Sequence, residues 1–221
     1  MDLTEIIDNI FHLNFPTQFQ LASTFLRFQE HYESPEFRGK IFTLDEFKRW
    51  YTANSEKGKE TGNFTYYEDW TGFNVPSYTL EPFYDESFNP LSDQEKMFLD
   101  LFANRKCAKF YVIGTFGGGM EALGHEIAHG LFYTNKDYRE QVLHILGKIN
   151  SDEIKIIHSY LLKIGYCEEV LDDETQAYLV DDIGWFKENG VEGESFIKIH
   201  DQLREVFDKY IAGSKITSFT Q

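Results

Sequence analysis

The chain has 221 residues, 42% hydrophobic and 17% aromatic, enough to bury a sizeable core and too apolar for a disordered polyelectrolyte. Its formal net charge of −16, with no basic patch, disfavours nucleic acid as a partner, because an acidic surface repels phosphate backbones. No apolar run approaches a membrane span, and the N-terminal MDLTEIIDNIFHLNF lacks the basic and apolar stretches of a secretory signal, so a cytoplasmic location is expected.

In chain order, Ile6, Ile7, Ile10, Phe11 and Leu13 recur at helical spacing and predict a helix over 4–14, which Pro16 ends. A second helix is expected over 18–32, with Leu21, Phe25 and Phe28 on one face. Thr43 followed by Glu46 reads as a capping box for a helix that starts at Leu44. The stretch 54–91 sets Gly58, Gly62, Gly72, Pro76, Pro82 and Pro90 among many aromatics. It reads as packed loops with a short strand near 64–67, serving either as binding surface or as a wrap around the core.

Ser92 with Glu95 caps a helix through about Ala103. Lys109–Gly114 is a β-prone segment and is followed by a turn at Gly117–Gly119. Further helices are expected over 136–149 behind Asn135, over 152–164 behind Ser151, and from Asp172 or Asp173 through Val180. A last helix over 196–212 carries Phe196, Ile197, Ile199, Leu203, Val206, Phe207 and Ile211. Cys107 and Cys167 lie far apart and form no CxxC pair, so two free thiols are expected rather than a thiolate zinc site.

The chemistry concentrates in His125-Glu126-Ile127-Ala128-His129. Positions i and i+4 share a helix face, so His125 and His129 can turn two imidazoles to one metal ion. Glu126 stands off that axis and can take a proton from a metal-bound water. Ala122, Leu123 and Leu131 flank the motif with uncharged side chains. Ionisable groups on such a buried surface are costly unless something compensates them, and a cation does so.

The segment Ala122-Leu123-Gly124-His125-Glu126-Ile127-Ala128-His129-Gly130-Leu131 resembles the HExxH active-site helix of the zincins, in which the two histidines bind zinc and the glutamate is the general base. The resemblance implies a Zn2+ cofactor and a peptide or protein substrate. The metzincin extension is absent, because Phe132 and Asn135 stand at its next two signature positions. The gluzincin branch takes its third ligand from a later helix, and Glu174-Thr175-Gln176-Ala177 resembles that element. Glu174 is then the third metal ligand, with Asp172, Asp173, Glu168 and Glu169 as rivals. The thermolysin-like pattern has an aspartate four residues after the glutamate, where this chain has Tyr178.

An oxyanion-stabilising partner is expected from Tyr178, Tyr133, His144 or His158, with Tyr178 the first choice. His12, His31 and His200 show no partner pattern and are expected on the surface. The strand Lys109–Gly114 is either a sheet edge that pairs with extended substrate, as in zincins, or an interior strand.

The expected architecture is α+β: one predominantly helical, zincin-like domain over 1–221, with a small sheet beside the HExxH helix. Its parts are helical over 1–55, loops with the strand and motif over 56–135, and helical with the third ligand over 136–221. Two other classes compete with the metallopeptidase: a non-catalytic zinc-binding or regulatory protein, and a small-molecule amidohydrolase.

Overall fold

Four short strands build a small sheet, and a larger set of helices makes up most of the rest. In a computed structural model of the chain, residues 1–118, 123–181, 184, 186 and 194–214 are described, without the side chains of 194–196. The molecule is 63% helical with a four-stranded mixed sheet, the expected α+β class. Gly119, Ala122 and the side chain of Phe196 lie outside the described residues. No helix among the described residues is long and apolar enough to cross a membrane.

The strands are β1 (Asp2–Ile7), β2 (Ile10–Phe15), β3 (Gly72–Pro76) and β4 (Tyr111–Phe116), in the order β1-β2-β4-β3. The helices of the first half are α1 (Gln18–Glu33), α2 (Leu44–Asn54), α3 (Glu56–Thr61), α4 (Tyr66–Asp69), α5 (Glu81–Tyr84) and α6 (Asp93–Leu101). Those of the second half are α7 (Leu123–Thr134), α8 (Lys136–Leu146), α9 (Ser151–Lys163), α10 (Leu171–Asp181) and α11 (Glu194–Ile211). Two compact units result, one of residues 1–4 and 11–119, the other of residues 5–10 and 120–221.

The helix expected over 4–14 is instead the hairpin of β1 and β2. Asn9 adopts a left-handed φ of 61°, a conformation asparagine tolerates, and its backbone N–H donates to Glu5 Oε1 at 3.0 Å. Beyond that turn Phe11, Leu13 and Phe15 are buried while His12 and Asn14 are only half-buried, the alternation of a strand. The strand expected near 64–67 gives way to α4, and the extended segment lies later, at β3. β3 pairs antiparallel with β4, Asn74 facing Ile113.

In the first unit, α1 lies against β3 and β4. Gly114 permits that approach: a Cβ there would stand 2.6 Å from the Phe25 ring and 2.8 Å from Leu21. Of the aromatics of 54–91, Tyr66, Phe73, Phe83 and Phe88 are buried in the core, whereas Trp70 and Tyr78 are exposed. Phe83 stacks on Phe88 at 3.9 Å between centroids, and Phe25 stacks on Phe73 at 5.6 Å. Arg27 and Glu95 form a buried pair, with Nη2 and Oε2 2.6 Å apart, and Arg27 also donates to the Phe88 and Pro90 carbonyls. Both expected capping boxes, Thr43 with Glu46 and Ser92 with Glu95, are present.

In the second unit, α10 packs against α7, α8, α9 and α11 and so occupies the centre. The expected cap Asn135 accepts from the Tyr138 N–H. α8 ends at Leu146 before Gly147, short of the expected 149, and Asn150 rather than Ser151 caps α9. A 3₁₀ turn over Glu168–Val170 feeds into α10, which places Asp172 and Asp173 inside its first turn rather than at a cap. Both cysteines are free, as expected.

Candidate metal centre

α7 buries one apolar stripe, Leu123, Ile127, Ala128 and Leu131, which fixes its rotation in the unit. The same rotation turns His125 and His129 to α10. Ala177 is fully buried on the facing side, and its small side chain lets the two helices close. The His125 ring hydrogen-bonds to the Ala177 backbone carbonyl. Glu174 stands one turn earlier on α10 and is buried.

His125 Nε2 and His129 Nε2 lie 3.0 Å apart, and Glu174 Oε2 is 3.7 Å from the latter and 4.0 Å from the former. The three ligand atoms fall within 4.8 Å of one another and can hold a metal ion. Glu174 Oε2 is buried and has no hydrogen-bond partner. The contact of the two imidazole nitrogens needs a proton or a metal ion between them, and a buried carboxylate oxygen without a donor is costly. A single cation answers both. Zinc–nitrogen bonds of about 2.0–2.1 Å at tetrahedral angles would put two nitrogens roughly 3.3 Å apart, so this donor set fits zinc with small adjustment.

The other ring nitrogens are also occupied. His129 Nδ1 lies 2.9 Å from Asp173 Oδ1, which in turn accepts from Gln176 Nε2 at 3.0 Å. Gln176 Oε1 accepts from the Tyr138 hydroxyl at 2.9 Å. Asp173, a rival ligand by sequence, therefore faces the outer nitrogen of a candidate ligand, the arrangement that orients metal-binding histidines. Asp172 faces His158 instead, 3.6 Å away, and half of its side chain is exposed. Glu168 and Glu169 sit on the 3₁₀ turn and do not join the group.

Burial holds the His125 pKa down at about 3, helped by repulsion from His129 and opposed by the Ala177 carbonyl. Burial also pushes His129 down, but Asp173, Glu174 and Glu126 outweigh it and raise its pKa well above the ordinary value. Burial raises Glu174, against the attraction of His129 and a hydrogen bond from Tyr166. These opposed shifts belong to one compact cluster of groups.

Glu126 is half-buried on α7, and its charge acts on His129 and on Tyr178. The Tyr178 ring packs edge-on against His125, centroids 4.7 Å apart. Its hydroxyl lies 3.1 Å from that of Tyr166. Of the other expected oxyanion partners, His144 is exposed on α8 and His158 is engaged with Asp172. His12, His31 and His200 are half-buried rather than on the surface, and contact Thr115, the Lys40 carbonyl and the Leu179 carbonyl. β4 is paired on both sides, by β2 and β3, so it is the interior strand and not a free edge.

Sequence reasoning missed Tyr166, Tyr138 and Gln176. Gln176 follows Asp173 by three positions on one helix, a spacing that places the two side chains together. Tyr138 and Tyr166 reach the cluster from other elements and leave no local pattern. Comparison of the chain with protein-family models, with curated proteins and with solved structures gives no match.

Proposed function

We propose that the chain is a zinc-dependent hydrolase, a zincin of the gluzincin-like branch that cleaves peptide bonds. The convergence of His125, His129 and Glu174 within 4.8 Å, beside a carboxylate carried on the same helix, supports this reading most directly. The group has three members among the described residues, whereas zinc sites that serve structure alone usually close with four protein ligands.

Zinc held there would act as a Lewis acid on the scissile carbonyl and would bring the pKa of a coordinated water towards about 7. Glu126 takes the proton of the attacking water and returns it to the departing amine. Burial raises the Tyr178 pKa, opposed by its hydrogen bond with Tyr166, so the phenol stays protonated and serves as donor to the developing oxyanion. Asp173 and the Ala177 carbonyl hold the two imidazoles in orientation.

Zinc content and cleavage of a peptide library, measured for the wild type and for Glu126→Gln, test the assignment. The variant is expected to retain zinc and to lose about 10²–10⁴-fold in cleavage rate. A zinc-loaded wild type that cuts nothing in the library would overturn the peptidase, and a wild type that takes up no zinc would overturn the centre itself.

A further inference from the structure

Two side chains behind the centre touch neither the metal ligands nor any reacting atom in the scheme above. Tyr138, on α8, and Gln176, on α10, are both fully buried. Together they complete a row of hydrogen bonds from Tyr138 to Gln176 (2.9 Å), from Gln176 to Asp173 (3.0 Å), and between Asp173 and His129 Nδ1 (2.9 Å). The Tyr138 ring is held edge-on by Tyr210 of α11, centroids 5.3 Å apart, which fixes where its hydroxyl points.

The donors and acceptors along this row leave little choice. A carboxylate only accepts, so Gln176 must turn its NH2 group to Asp173. Its carbonyl oxygen then faces Tyr138, whose hydroxyl must donate. Asp173 Oδ1, already receiving one N–H from Gln176, receives a second from His129, and that places the hydrogen on Nδ1. A neutral imidazole with hydrogen on Nδ1 has its lone pair on Nε2, the nitrogen that faces His125 and Glu174.

We propose that Gln176 and Tyr138 are positioning residues that, through Asp173, lock His129 as its Nδ1–H tautomer and keep Nε2 available to the metal. The proposal rests on the zinc-site reading above and extends it to two residues that no metal-binding spacing would select. With Gln176 in place Asp173 cannot swing away, and with Tyr138 in place Gln176 cannot flip its amide.

The test is zinc affinity, measured by competition with a chromogenic chelator, together with nitrogen-15 NMR of the histidine rings in zinc-loaded protein. Gln176→Met keeps the volume and removes the N–H donor, whereas Tyr138→Phe removes only the hydroxyl. Gln176→Met is expected to weaken zinc binding about 10–100-fold, with a smaller loss for Tyr138→Phe, and both to reduce the His129 Nδ1–H signal. In an Asp173→Asn background Gln176→Met is expected to add little, because the two act as one unit. Tyr51→Phe, which removes a comparable hydroxyl donor to Asp69 in the other unit, is the control and should leave zinc affinity unchanged.

Folded variants whose zinc affinity stays within about twofold of the wild type would overturn the positioning role and leave the zinc site standing. So would fully additive losses in the Asp173→Asn background. If Gln176→Met does not fold, Tyr138→Phe decides the matter by the same measurements. A wild type without zinc affinity would instead remove the site, and this proposal with it.

Discussion

Tyr178 shows how one side chain on α10 can be weighed against its neighbours. Its ring lies against His125 and its hydroxyl against Tyr166, so removal of the hydroxyl alone leaves the packing in place. Tyr178→Phe is expected to lower kcat by about 10²–10³-fold with KM and zinc affinity nearly unchanged, as for loss of one oxyanion donor. Steady-state kinetics with a metal titration check this, and a KM effect alone would reduce the residue to a substrate contact. His125, Glu126 and His129 were legible in the sequence because a helix converts spacing into geometry without help from the rest of the fold. Glu174 was legible only with Ala177 beside it. Asp173 stands out in the sequence only as an acid, because whether a carboxylate joins the His125–His129–Glu174 group or meets the far side of a histidine depends on how α7 and α10 are set against each other. Tyr138 and Tyr166 arrive from distant segments, and no local pattern announces them.

Among the elements, α1 lies close against β4 at Gly114. Gly114→Ala is expected to destabilise the protein by about 1–3 kcal/mol, because the added methyl meets a buried ring and a buried leucine. Chemical denaturation measures the loss, and an unchanged midpoint would mean that α1 shifts freely. Caps make three helix starts legible, since Thr43, Ser92 and Asn135 each accept the backbone N–H that their position requires, whereas Asn150 takes the place expected of Ser151. The hairpin was misread because Ile6, Ile7, Ile10, Phe11 and Leu13 satisfy a helical stripe as well as two strands. The Asp8-Asn9 turn, two residues long, decides between them, and its effect is a backbone angle rather than an apolar pattern. Likewise β4 is buried without a break over its first four residues, and only its partners reveal that neither of its edges is free.

For the whole molecule, the division into two units makes a prediction about metal removal. Among the described residues, the candidate ligands His125, His129 and Glu174, with Asp173, Gln176 and Tyr138 behind them, all belong to the unit of residues 5–10 and 120–221. A cation that binds only the folded state at about 100 times its Kd contributes roughly 2.7 kcal/mol. At that saturation chelation is therefore expected to lower the Tm of the zinc-loaded protein by roughly 11–22 °C, taking about 4–8 °C per kcal/mol for a unit of this size. Hydrogen exchange should locate the loss of protection in α7 to α11, with the amides of α1, α6 and the sheet little affected. Uniform loss across both units would show that the chain melts as one block.

The path of the backbone between the two halves of the centre carries one more consequence. α7 and α10 are joined by packing, by the Ala177 carbonyl and by Asp173, whereas the chain between them leaves by way of α8 and α9 and returns. Tyr138 on α8 and Tyr166 after α9 reach the cluster from that excursion, whereas the turn between α8 and α9 contributes no residue to it. A change in the length of the turn between α8 and α9 would therefore leave the cluster intact, so kinship would be written in the two short signatures HEIAH and ETQAY and not in the exact number of residues that separates them.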